Sequence, residues 1–355
     1  MKLDIQYRMH FRYSDPVTEA QNEVRVRPRE DDWQKVTSYR LVSQPPMPVL
    51  QAIDYWGTVV EHLGVRTPHS EMELLAEASV ETKPRPVPSS EAARDELRQR
   101  SFCDKYFEML QASPHVQWST GDAVTRRAQA AVDGAATVTE MVVATVAEVR
   151  AALQYEPGST EIGVTLAEIL QGGAGVCQDY AHLAIGMMRS IGVPARYVSG
   201  YLFAVDETVA ADDAALLENT GLPDAAGAAE LQDVAADAGG SVGQAADADV
   251  VSVQTHAWVE VALPGWGWWA LDPTNGGIVG ERHVVIGCGR DYGDVAPVRG
   301  AFMGSGTAEV EAEVVIGKRP SSDAFVYAPR RPADIAVEAA KNDSIRQYQH
   351  QQQQQ

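Results

Sequence analysis

The sequence predicts an α+β protein, an all-β domain followed by a domain of helices packed on an antiparallel sheet. Three observations carry this expectation. Apolar and polar residues alternate along residues 1–81, helical patterns fill 91–154, and strand signals return from Ala195 to Ile316. The 355 residues have room for two domains and a large core.

Leu3, Ile5, Tyr7 and Met9 alternate with polar neighbours, and Val24 and Val26 before Pro28 repeat the pattern. Asp54-Tyr-Trp-Gly57 reads as a turn between strands, with further strands at Thr58–Leu63 and Leu75–Glu81. Residues 1–82 are therefore assigned to an N-terminal β domain. Three prolines in Lys83-Pro-Arg-Pro-Val-Pro-Ser-Ser90 favour extended backbone, so 83–92 reads as a linker. The second domain is assigned to 93–317. It begins with helical patterns at Glu91–Leu110 and Thr137–Leu153, and a short helix at 163–172 stops at Gly172-Gly173. Residues 318–355 form a C-terminal extension whose Gln-rich end is expected to be disordered.

The net charge is −20, from 29 basic and 49 acidic residues. Residues 205–250 hold 11 of the acidic residues, no Lys or Arg, and few large apolar side chains. Such a segment cannot bury enough surface to offset its ordering entropy, so it is expected to be a mobile insertion. The acidity argues against a nucleic-acid partner, since phosphate contacts need a basic surface. No apolar run reaches the roughly 18 residues that span a bilayer, so no membrane is expected. The charged start, MKLDIQYRMHFRYSD, does not resemble a signal peptide. Three cysteines, Cys103, Cys177 and Cys288, are too few for a disulfide framework, and a reducing cytoplasm is the simplest compartment.

The densest chemistry lies in Gly172-Gly-Ala-Gly-Val-Cys-Gln-Asp-Tyr-Ala-His182. A glycine-rich loop leads into an apolar helical run, which puts Cys177 in the first turn of a helix. There the free N–H groups and the helix dipole favour a thiolate. A buried, inert cysteine is the competing reading. His182, five residues on, lies about 140° away around a helix axis, and Asp179 about 200° away. Both are expected to be structural, so a base must come from elsewhere in the fold.

A second dense region runs from Gln254 to Asn275. Val253–Leu263 and Trp268–Leu271 read as two strands joined at Pro264-Gly265. A hairpin centred on that pair leaves His256 and Asp272 one place out of register. A bulge near Gly267 brings them to one face. An imidazole beside a carboxylate fixes the tautomer and stabilises imidazolium. A strand histidine and a turn-forming Asp-Pro are the competing reading.

Cysteine at a glycine-led helix start, then histidine on a strand, then aspartate after a tight hairpin is a Cys-His-Asp order. Together with Gly175-Val-Cys-Gln-Asp-Tyr-Ala-His182, Gly192-Val-Pro-Ala-Arg-Tyr-Val-Ser-Gly-Tyr-Leu202, Thr255-His-Ala-Trp-Val-Glu260 and the blocks 267–275 and 289–300, it resembles the bacterial transglutaminase-like family of the papain-like group. Tyr13, Pro16, Asn22, Arg25, Pro28 and Gln34 resemble that family's N-terminal β domain. The resemblance implies a papain-like transglutaminase core over 93–317. It implies Cys177 as nucleophile, His256 as base and Asp272 as its orienting partner. Gln171 and Gln178 are both candidates for an oxyanion side chain. No metal-ligand spacing is present and no cofactor is expected. The expected activity is attack of a thiolate on an amide or peptide carbonyl of a protein or peptide substrate. The thioester is then resolved by an amine, as in a transglutaminase, or by water, as in a protease or amidase. A non-catalytic binding module that keeps the fold is a further alternative.

Overall fold

A computed structural model of the protein describes residues 1–89, 92–203, 250–253 and 255–319. Six strands come first: β1 (Lys2–Val17), β2 (Glu19–Val24), β3 (Gln34–Gln44), β4 (Leu50–Ile53), β5 (Val59–Val65) and β6 (His69–Thr82). Helices α1 (Arg100–Lys105), α2 (Ala123–Ala131) and α3 (Val138–Ala152) follow. Then come the short strand β7 (Gln154–Tyr155), α4 (Leu166–Gly172), the short strand β8 (Ala174–Gly175) and α5 (Cys177–Ser190). The chain continues through β9 (Ala195–Leu202), β10 (Val250–Val253), β11 (Thr255–Leu263), β12 (Gly267–Asp272), β13 (Gly277–Ile278) and β14 (His283–Gly289). It closes with α6 (Tyr292–Val295), β15 (Val298–Met303) and β16 (Ala308–Lys318). Among the described residues, no helix is long and apolar enough to cross a membrane.

The period of two in β1 does what a half-buried strand requires. Leu3, Ile5, Tyr7, Met9, Phe11 and Tyr13 all turn inward, and Met72, Leu74, Ala76, Ala78 and Val80 of β6 do the same. The sheets β10-β16-β1-β6-β3 and β15-β2-β5-β4 supply the residues of this first core. Residues 298–317, assigned from sequence to the second domain, run differently. β16 pairs antiparallel with β1 from Leu3↔Lys318 to Tyr13↔Ala308, and β15 pairs with β2. Val310, Val314 and Ile316 join the first core, which is the apolar reason for the return. The helical pattern at 91–110 also resolves into short pieces: 3-10 turns at Arg94–Arg98 and Phe107–Leu110 flank α1, which buries none of its own residues.

The other half is built on the antiparallel sheet β13-β12-β11-β9-β14. Helix α5 packs against β9 and β11, with α2, α3 and α4 on it in turn. Every residue from Gln178 to Arg189 is buried, as expected for a helix enclosed on all sides. Thr137 starts α3 by accepting from Glu140 N–H, and the Glu140 side chain returns the bond to Thr137 N–H.

Gln34 joins the halves by acting as a strand partner. Its Oε1 accepts from Val285 N–H at 2.7 Å, and its Nε2 donates to Val285 O at 2.7 Å, beside the irregular step between Val285 and Gly287. Tyr201 Oη donates to Val26 O at 2.7 Å, and Tyr201, Phe203, Val284 and Ile286 enter the first core. The proline segment lies on the body of the protein. Arg85 reaches Asp31 at 3.7 Å and Glu260 at 3.8 Å, and Val87 packs on the helical core.

The acidic segment lies outside the described residues except for Val250, which opens β10, and the Gln-rich tail lies outside them entirely. β9 and β11 are neighbours, with Tyr201 opposite Thr255. Neighbouring antiparallel strands can be joined by a few residues, so most of 205–250 is surplus to the pairing. Deleting 208–248 and bridging with a short Gly-Ser link is expected to leave the melting temperature unchanged in differential scanning calorimetry. A large drop would show that the segment contributes to the core.

Candidate active site

The segment that carries Cys177 is set by caps. Thr165 and Glu168 form a reciprocal cap at the start of α4, and Gly173 ends the helix at φ +67°, a conformation that favours glycine. Gly175 has no room for a side chain, since a Cβ there would come 2.8 Å from Asp179 Cβ. Asp179 Oδ2 accepts from Val176 N–H at 2.8 Å and from Thr160 Oγ1 at 2.6 Å. Burial pushes the Asp179 carboxyl up, against these two bonds. Asp179 therefore fixes the entry into α5, and Cys177 emerges as its first residue, partly exposed.

The hairpin that carries the imidazole turns through Leu263–Trp266, with Trp266 N–H bonded to Leu263 O at 3.2 Å and Gly265 at φ +72°. Gly267, at φ +110°, pairs with Leu263, and the register runs to Val259↔Leu271. The loop is thus one residue longer than a two-residue turn. That extra residue moves His256 and Asp272 to the same face.

His256 Nε2 meets Asp272 Oδ2 at 2.7 Å, and the Cys177 side chain is near enough to the ring to raise it further. With Nε2 engaged, Nδ1 is the nitrogen left for sulfur. Asp272 is wholly buried. Its Oδ2 also accepts from Asn275 Nδ2 at 2.7 Å and lies 3.3 Å from His283 Nε2, while Oδ1 accepts from the N–H groups of Thr274 and Asn275 at 3.0 and 3.2 Å. Burial alone would raise the Asp272 carboxyl. The His256 ring, with His283 adding to it, outweighs that and holds the carboxyl well below its usual range. Burial likewise opposes charge on His256, but Asp272 first and Cys177 after it push the ring up to about 10.

The sequence profile of the Transglutaminase-like superfamily matches residues 125–273, and that of the Bacterial transglutaminase-like N-terminal region matches 3–81. An uncharacterized protein of Mycobacterium leprae is 31% identical over 304 residues, covering 86% of this chain and 94% of its own. The chain belongs to the transglutaminase-like superfamily. An uncharacterized protein of Mycobacterium tuberculosis is 29% identical over 310 residues, 83% of this chain and 86% of its own. A solved structure from Cytophaga hutchinsonii, named "Putative Cysteine Protease", shares the fold at a TM-score of 0.63 with 20% identity, covering 92% of this chain and 94% of that one.

In this transglutaminase-like chain the superfamily match spans Cys177, His256 and Asp272 and stops one residue later. His283 and Asn275 lie beyond it. Sequence reasoning found neither as a partner of the carboxylate. His256, Asp272 and His283 do bring three ligand atoms within 4.8 Å of one another. The tautomer of His283 opposes a metal there. Gly280 N–H donates to His283 Nδ1 at 3.2 Å, so the ring proton belongs on Nε2, which faces Asp272 as a donor. Tyr155 was missed as well. It pairs with Gly175 across β7 and β8; the residue keeps about half of its surface (53%) exposed, yet partial desolvation of the phenol raises it, and Cys177 raises it further.

Of the oxyanion candidates, Gln171 is exposed in the last turn of α4 and Gln178 is buried in the first turn of α5. Arg196 pairs with Glu260 and stacks 4.1 Å over the Trp268 ring. Trp258 is fully buried and stacks on His256 with ring centres 6.1 Å apart.

His182 faces away from the sulfur. It accepts from Tyr292 N–H at 3.2 Å, stacks on His115 with centres 5.7 Å apart, and is driven down to about 3 by burial. A ring so far from protonation at neutral pH is a packing and hydrogen-bonding element. His182→Ala is expected to cost about 1–3 kcal/mol in urea unfolding, because Tyr292 N–H loses its acceptor, and to leave kcat of the folded fraction near that of the parent. A kcat collapse in well-folded protein would make His182 the base instead.

Proposed function

We propose that this chain is a cysteine-dependent acyl-transfer enzyme acting on amide carbonyls of proteins or peptides. One observation carries the reading: the His256 ring, with Nε2 2.7 Å from the buried Asp272 carboxylate, lies beside Cys177, which leaves Nδ1 for sulfur. A ring that holds its proton to about pH 10 is cationic at neutral pH, and a cation there favours thiolate. The sulfur attacks the carbonyl carbon, the amide C–N bond breaks, and the imidazolium gives its proton to the departing ammonia or amine. The resulting thioester is cleaved by an incoming amine or by water, from which His256 takes a proton. The Cys177 N–H, in the first turn of α5, is the main-chain group suited to the oxyanion. The compartment proposed for the chain is a reducing cytoplasm, which would keep the Cys177 thiol unoxidised.

The test is mass spectrometry of glutamine-containing peptides incubated with the full chain, with and without a primary amine. Amine adducts mark transfer, and deamidated or cleaved peptide marks hydrolysis. No mass change in any peptide would overturn the reading.

A further inference from the structure

Arg150 sits in the last turn of α3, exposed, and among the described residues it makes no hydrogen bond and no ion pair. Three other guanidiniums of this half are engaged. Arg189 is held by the carbonyls of Gln111, Ala195 and Arg290, Arg196 by Glu260, and Arg290 by Asp294.

Arg150 nevertheless has a built seat. Its guanidinium lies on Gly276, where an added methyl group would overlap Nη1, Cζ and Cδ. Gly276 is at φ +71°, and its N–H donates to Asp272 O at 2.8 Å. The unpaired cation therefore rests on the turn that carries the triad carboxylate. The same stretch of chain ends in Tyr155, exposed beside Gly175 and Cys177. Residues 150–155 thus border both partners of the sulfur chemistry, the base side through Gly276 and the nucleophile side through Gly175.

An unpaired guanidinium at the rim of a reaction centre has five donors in a planar fork, shaped to hold a carboxylate through two parallel bonds. The whole chain carries −20, so acidic ligands are repelled at long range and their capture needs a local cation. We propose that Arg150 anchors a substrate carboxylate, so that the acyl donor is an acidic peptide with Asp or Glu close to the reacting amide. The inference rests on the enzyme reading above.

The test separates the two. Full-length Cys177→Ala, which cannot turn over, is titrated by isothermal calorimetry with two glutamine-peptide pools. These differ only in Asp or Asn at the three positions on either side of the glutamine. The Asp pool is expected to bind about tenfold tighter, the size of one charge-assisted contact, and Arg150→Gln in the same background is expected to erase the difference. Arg150→Lys should restore part of it. Equal binding of the pools, or a preference that survives Arg150→Gln, overturns the proposal. A cation serving only the carboxyl end of α3 would shift the melting temperature and leave pool preference untouched. Should the preference hold while the parent chain alters neither pool, the recognition stands and the enzyme reading fails.

Discussion

Iodoacetamide at neutral pH is expected to modify Cys177 well ahead of the other thiols and to extinguish turnover as it does so. The three cysteines differ in setting. Cys288 is buried and its thiol is pushed up by that burial, with Arg196 and Arg29 opposing the shift. Cys103 Sγ donates to Leu97 O at 3.1 Å. Cys177 is partly exposed and lies beside an imidazole that keeps its proton to about pH 10. Cys177→Ala is expected to remove roughly 10⁶-fold in kcat, the scale of losing a nucleophile outright. Its melting temperature should match that of the parent, since a small residue at a helix start leaves no cavity. Peptide mapping after partial alkylation checks the first part. Equal labelling of all three cysteines would leave nothing special about this thiol.

Asp272→Asn is expected to lower kcat by roughly 10⁴-fold, on the scale of the same change in a serine triad. The cause lies in the donors around the carboxylate. Oδ2 faces His256, His283 and Asn275, and Oδ1 faces two backbone N–H groups. An amide has only one oxygen, so whichever way it turns, its NH₂ meets donors. The pH dependence should change as well. His256 is raised, so its contribution to stability is whole below the ordinary histidine value near 6.5 and fades as pH climbs to about 10. Asp272 is depressed, so its contribution is present above about 3.9 and is lost on acidification below that. The pair therefore stabilises the native protein most between these limits. In the Asn variant the alkaline fade should move from about 10 toward the ordinary histidine value. Urea unfolding across pH checks it, and an unchanged alkaline limb would show that Asp272 does not hold the His256 proton.

Much of this site is legible in the residues because its signals are local. Glycines before an apolar run place Cys177 at a helix start, and Pro264-Gly265 places a turn. The one-residue correction near Gly267 follows from parity alone. His283 and Asn275 are harder to find, because their value depends on which donors reach a buried carboxylate, and spacing does not encode that. Tyr155 joins Cys177 only through the pairing of β7 with β8. In the fold, β1 and β6 announce themselves by alternation. β4 does not, since all four of its residues are exposed and it has no apolar face to show. The return of β16 to β1 is a partnership across some 300 residues of sequence.

That return sets the order in which the protein can be completed. β1 lies between β6, made early, and β16, made among the last of the described residues. While the chain is still being synthesised, one side of β1 presents unpaired N–H and C=O groups and its apolar face lacks Val310, Val314 and Ile316. The first module therefore waits, with an open edge, while some 300 further residues are made. A nascent chain in that state is a natural client for chaperones, and truncation before residue 298 exposes the same edge permanently.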